Sequence, residues 1–254
     1  MMLASFEEEF HRFQPVIRRV SALALLGKKV EVRHDDNFVR QGPNIIVGNH
    51  SGSFKDVATI FKIVPRPIFF TANQMIFSKE EFDFLIRKHL RRHLKDFGLV
   101  INSALKPLKY LFVRYVSTNI ARIGTIPVDL YATKRDAFQH CQEYLQKGRA
   151  IVTLQGRGRV FPRADHPYIS PFRRGASILA YLLYHENGIS VPVTPLAMFG
   201  THIPFLIPGR IRVNVGQPMY IADYISDEVE ETVGWFREAL EARVKALFLE
   251  LLRV

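Results

Sequence analysis

Short apolar runs that stop at a glycine or a polar pair, each followed by a helix-length segment, recur through most of this chain. Ile45-Ile46-Val47 ends at Gly48-Asn49, and the run from Arg149 to Leu154 ends at Gln155-Gly156. Runs of this length and composition read as buried strands, and glycine marks where each stops. Further strands are expected over 29–33, 68–70, 190–199 and 211–215. A shorter one over 124–129 is edge-like, because Pro127 would cost a central strand a ladder hydrogen bond. Helices are expected over 56–64, 79–96 with Ser78 as N-cap and Glu81 completing a capping box, 106–122, 133–147 and 174–186. Alternation of this kind predicts an α/β fold, a single domain with a mostly parallel central sheet flanked by helices.

Amphipathic helices are expected at both ends. Residues 1–30 form an N-terminal helical segment, one or two helices broken at Pro15. Residues 31–225 form the main domain. Residues 226–254, starting at Ser226, form a C-terminal helix packed on the same domain. At 254 residues, 48% hydrophobic and 23% charged, the chain can bury a real core and is far from a disordered composition.

The formal net charge of +11 favours an anionic partner: nucleic acid, anionic lipid or a phosphorylated small molecule. Cys141 is the single cysteine, which excludes an intrachain disulfide and a cysteine-rich zinc site, and its place on a helix suggests an ordinary thiol. No run of about 18 uncharged apolar residues exists to make a transmembrane helix. Glu7-Glu8-Glu9 is the wrong charge for the start of a signal peptide, so a cytoplasmic location is expected.

His50 stands at the exit of the 45–47 strand, with Asp56 six residues on. A carboxylate that accepts from one imidazole nitrogen leaves the other free to take a proton from a hydroxyl, without a metal. Three later blocks accompany it. They are Gly124-Thr-Ile-Pro-Val-Asp129, then Gln155-Gly156-Arg157-Gly158-Arg159 with Pro171-Phe172-Arg173-Arg174-Gly175-Ala176, and Val191-Pro192-Val193-Thr194-Pro195.

In order and spacing, these blocks resemble the glycerolipid acyltransferase family, of the 1-acylglycerol-3-phosphate acyltransferase type, from about Ile45 to Val215. The resemblance implies direct acyl transfer from an acyl thioester, acyl-CoA or acyl carrier protein, to a hydroxyl of a lysophospholipid, glycerol phosphate or related lipid. His50 is then the general base and Asp56 its orienting carboxylate. Asn49, Gln155, Gly156, Arg157, Arg159, Arg173 and Arg174 are the expected substrate-binding residues. No cofactor and no metal is expected, and no nucleophilic Ser or Cys is required. The chain departs from the family pattern at three points. Five residues separate His50 from Asp56 where four are usual, Leu130 stands where an arginine is frequent, and Gln155 replaces a glutamate. The last change leaves the acceptor open.

Other signals carry less. Ser51 and Ser53 lack a Gly-x-Ser-x-Gly elbow, and Gly156–Arg159 lacks a P-loop's Gly-Lys-Ser/Thr ending. His89 and His93 fall one turn apart, but Leu90 and basic neighbours argue for surface histidines. Asp165-His166 is a weak second dyad. The basic-aromatic stretch 82–97 suits the interface of an anionic membrane, which predicts peripheral contact there. Two alternatives remain: a lipid-binding family member without catalysis, and a basic nucleic-acid-binding protein. The second leaves the His50 block unexplained, so no nucleic-acid partner is expected.

Overall fold

The computed structural model describes residues 2–50, 54–88, 106–120, 122, 124–128, 135–156, 169–203 and 207–253. The chain divides into two compact units, Pro15–Phe69 with Gln139–Val254 and Met1–Gln14 with Phe70–Phe138.

The larger unit carries the strands β1 (Lys28–Arg33), β2 (Asn44–Asn49), β5 (Ala150–Gln155), β6 (Val193–Phe199) and β7 (Gly209–Val215), in the order β1-β7-β6-β2-β5. Every residue of β2 is buried, as expected of a strand flanked on both sides. It pairs in parallel with β5, Asn44 opposite Ala150 through Asn49 opposite Gln155, and in parallel with β6. β1 and β7 are also parallel, whereas β6 and β7 run antiparallel. In the smaller unit, β3 (Ile68–Asn73) pairs in parallel with β4 (Thr125–Val128) from Phe70 opposite Thr125 onward. Pro127 in β4 is exposed, the placement its missing N–H requires. Four of the five described strand pairings are therefore parallel, and the fold is α/β.

The helices are α1 (Met2–Ala24), α2 (Phe54–Ile63), α3 (79–88), α4 (Lys106–Asn119), α5 (Arg135–Gln146), α6 (Gly175–Asn187) and α7 (Val229–Leu252). Phe236, Leu240, Val244, Leu247, Phe248 and Leu251 repeat at three- and four-residue spacing, and all are buried where α7 packs on β6 and β7. Burial of each such side chain contributes roughly 1.5–3 kcal/mol, so this face fastens the C-terminal helix to the sheet.

Two expectations are corrected. α1 runs unbroken through Pro15. A proline removes its own N–H and crowds one carbonyl, but the turns on either side keep their hydrogen bonds. At the other end, α7 starts at Val229, three residues after Ser226. Ser226 instead donates its hydroxyl to Glu231 at 2.7 Å, while its backbone N–H donates to Thr232 Oγ1 at 2.9 Å. These bonds draw Ser226 into a side-chain-bonded turn ahead of the helix. The expected Ser78 cap is present in its first half, with Glu81 N–H reaching the Ser78 hydroxyl at 3.4 Å.

Polar anchors fix where the strands begin. Arg66 donates to the carbonyls of Gly42 at 2.7 Å and Gly148 at 2.6 Å, tying together the loops that lead into β2 and β5. Asn44 donates from one amide nitrogen to Pro192 O and Thr194 Oγ1, both at 2.9 Å, which joins β2 to β6. With the entry ends pinned, the exit ends of β2, β5 and β6 come out side by side.

Candidate active site

The exit ends of parallel strands in an open α/β sheet are where ligands are commonly held. Here β2 and β5 finish opposite each other, Asn49 beside Gln155. The backbone N–H of His50 donates to Gln155 O at 2.7 Å, extending the β2–β5 ladder by one step.

His50 Nδ1 lies 2.7 Å from Asp56 Oδ2. That separation suits a charge-assisted bond, but the ring N–H is not aimed along it, so the contact falls outside hydrogen-bond geometry. Catalytic contacts in unliganded sites are often misaligned in this way. Asp56 is 1% exposed and His50 30%. Nδ1 is buried, so the exposure belongs to the rest of the side chain. A carboxylate sealed against a partly exposed imidazole is an arrangement that suits a general base. The five-residue spacing does not displace Asp56: α2 begins at Phe54, so Asp56 sits in its first turn, where the helix dipole favours a negative charge.

Two glycines permit this arrangement. A Cβ on Gly48 would lie 3.0 Å from Leu196 O, where β6 runs against β2. Gly156 is the stricter case, with φ +132° and a Cβ position only 2.8 Å from His50 O. Any side chain at Gly156 would push on the backbone of the histidine itself.

Asn49 was expected to bind substrate, and the structure gives its amide two backbone partners. Its Nδ2 donates to Met198 O at 2.9 Å, and its Oδ1 accepts from Met198 N–H at 2.7 Å. The 3% exposed side chain thus stands in for a strand residue and braces β2 against β6, one residue before His50. Gln155, 5% exposed, is similarly engaged. Its Nε2 donates to Thr153 Oγ1 at 3.2 Å, and its Oε1 accepts the Arg173 N–H at 3.1 Å. A glutamate there could accept from Arg173 but could not donate to Thr153. Gln155 therefore couples β5, the His50 backbone and the turn before α6.

Arg173 is exposed beside that turn, whereas Arg174 forms an ion pair with the Glu230 carboxylate. Gly156 follows Gln155 directly, but Arg157 and Arg159 lie outside the described residues. So do Ser51, Ser53, His89, His93, Asp129, Leu130, Asp165, His166 and the rest of the 82–97 stretch beyond residue 88.

Two buried lysines were missed. Lys55, only 4% exposed, donates to Ile203 O, and Lys28 likewise donates to Ile207 O, fastening both ends of the turn between β6 and β7. Burial lowers the Lys55 pKa, repulsion from Lys28 lowers it further, and Asp56 works against both. Neither lysine gave any sequence signal, since each looks like an ordinary surface charge. Cys141 is buried, and burial pushes its thiol up to about 12. That is the opposite of what a nucleophilic cysteine needs.

No family model and no curated protein matches this sequence. Among solved structures, the crystal structure of the 1-acyl-sn-glycerophosphate (LPA) acyltransferase PlsC from Thermotoga maritima superimposes with a TM-score of 0.51 at 18% sequence identity, covering 95% of this chain and 82% of that one. The chain shares its fold with that acyltransferase. The similarity extends over nearly the whole chain, the span in which the sequence blocks occur. At this identity, the function has to be argued from the site itself.

Proposed function

We propose that this chain is an O-acyltransferase that moves a fatty acyl group from an acyl thioester to a hydroxyl of a glycerolipid acceptor. The observation that carries this reading is the 2.7 Å approach of the His50 ring to the buried Asp56 carboxylate. It occurs at the strand exits of a fold shared with an LPA acyltransferase.

In this reading Asp56 holds His50 with its proton on Nδ1, and Nε2 accepts the proton of the acceptor hydroxyl as the oxygen attacks the thioester carbonyl. The new C–O bond gives a tetrahedral oxyanion. Its collapse breaks the C–S bond, and the proton on Nε2 passes to the departing thiolate. A positioned base of this kind contributes about 10²–10⁴-fold. The donor is acyl-CoA or an acylated carrier protein, and the acceptor a lysophospholipid or glycerol phosphate. Arg173, exposed beside the turn that Gln155 holds, meets the anionic acceptor in this reading.

The substrate implies work at a membrane surface, and we place the enzyme peripherally on a cytoplasmic face. The net charge of +11 favours anionic lipid. On α1, Val20 and Leu23 are each more than half exposed beside exposed Arg18 and Arg19, with exposed Leu26 just past its end, the composition of a helix that lies in an interface. No helix among the described residues is long and apolar enough to cross a membrane.

The test is incubation with a radiolabelled acyl thioester and a panel of lipid acceptors, alongside His50→Ala and Asp56→Asn. Product from the wild type and a loss of about 10²–10⁴-fold in His50→Ala supports the assignment. Lipid binding without product from the wild type means a lipid-binding protein. Salt-sensitive binding of DNA or RNA without product refutes the assignment.

A further inference from the structure

The short segment Pro171–Arg174, just before α6, is gripped from opposite sides. Glu241 of α7 accepts the Phe172 N–H on Oε2 at 2.8 Å, and Gln155 of β5 accepts the next N–H, that of Arg173, on Oε1 at 3.1 Å. One residue further on, Arg174 pairs with Glu230. Glu230 and Glu241 are eleven residues apart on α7, about three turns, so both carboxylates lie on one face of that helix.

Glu241 is itself held in place. Its other oxygen, Oε1, lies 2.7 Å from Lys245 Nζ one turn along. Burial alone would raise its pKa, but Lys245, the Phe172 N–H and Arg237 together hold it below the ordinary glutamate value. It is therefore a carboxylate at neutral pH and can only accept hydrogen bonds. A continuous path follows: Glu241 to Phe172 N–H, across one residue to Arg173 N–H, to the Gln155 side chain, and through Gln155 O to the His50 N–H at 2.7 Å.

We propose that Glu241 is a positioning residue for the acceptor side of the site: it fixes the Phe172–Arg173 backbone against Gln155, so that the exposed Arg173 guanidinium is presented to an anionic group of the acceptor beside His50. This inference rests on the acyl-transfer reading above. Glu241 touches no reacting atom. Its loss frees one end of the segment and spreads the positions Arg173 samples, while the His50 ring keeps its own support from Asp56 on α2. The expected signature is weaker acceptor binding with the chemical step preserved.

The experiment compares wild type with Glu241→Ala and Glu241→Gln, using acyl-CoA with 1-acylglycerol-3-phosphate or with uncharged monoacylglycerol. Glu241→Ala should raise the KM for the anionic acceptor about tenfold, the effect of one hydrogen bond to a charged group. Its kcat, its KM for acyl-CoA and its KM for monoacylglycerol should stay within about twofold. Glu241→Gln restores an oxygen for Phe172 and should recover the wild-type KM. Hydrogen–deuterium exchange of residues 169–176 should quicken in Glu241→Ala alone. Equal losses with both acceptors, a rise in the acyl-CoA KM alone, no rescue by glutamine or unchanged exchange would each overturn the proposal. If the wild type forms no product with either acceptor, the acyl-transfer reading itself falls. If the wild type is active and Glu241→Ala is indistinguishable from it, only this inference falls.

Discussion

Replacing Gly156 by alanine tests the connection between the end of β5 and His50 most directly. At φ +132° the backbone lies in a region that essentially only glycine enters without strain. Forcing an alanine there costs about 1–3 kcal/mol. The added Cβ would also stand 2.8 Å from His50 O, a contact that backbone atoms cannot relieve by rotating a side chain. Overpacking of this kind typically adds about 1–3 kcal/mol. The expected loss of stability is therefore about 2–6 kcal/mol, read from the shift in guanidinium midpoint at constant m. Relief of the clash must move the carbonyl of the proposed base, and displacement of a reacting group by about 1 Å costs on the order of 10²-fold in rate. Acyl transfer measured at a temperature where the variant is still folded should fall by about that factor. Gly175→Ala is the control: nothing lies within 4 Å of its Cβ position, and it should match wild type or exceed it slightly. A Gly156→Ala protein with unchanged midpoint and rate would refute the argument that this glycine exists to let β5 pass the histidine.

Three other outcomes are expected. Asn49→Ala strips the buried N–H and C=O of Met198 of their partners and should destabilise by about 2–6 kcal/mol in the same denaturation assay, since each orphaned group costs about 1–3 kcal/mol. Native Cys141, with its thiol pushed up to about 12, should react with a disulfide reagent at pH 8 on the order of 10³-fold more slowly than in denaturant, and blocking it should not be what limits activity. The Glu241 carboxylate titrates lower in the folded chain than in the unfolded one, so its contribution is complete above the unfolded value and disappears as pH falls through the folded one. Glu241→Gln should therefore lose less stability than wild type between about pH 5 and pH 3, measured by thermal unfolding.

The sequence by itself determined the local parts. Ile45–Val47 and Ile151–Leu154 could be read as buried strands because uninterrupted apolar runs have few other uses, but Gly48 is not the stop it reads as: β2 continues through it to Asn49, paired residue by residue with β5. The pairing of His50 with Asp56 was also legible, because six residues of chain keep the two near each other in almost any conformation. Pro15 and Ser226 misled because a proline and a serine state a local preference, which the neighbouring turns and the Glu231 and Thr232 side chains override.

Only the tertiary structure decided what the polar residues around His50 do. Asn49 meets Met198 across 149 positions, and Glu241 meets Phe172 across 69. Neither contact leaves any periodicity or spacing in the chain. The antiparallel pairing of β7 with β6 was equally invisible, since an apolar strand carries no mark of its direction. Which strands become neighbours depends on how the whole chain closes its loops and covers its apolar faces, and that balance is struck over distances no local pattern records. The His50–Asp56 pair was therefore legible in seven consecutive residues, whereas the frame that holds it was built by contacts from the far end of the chain.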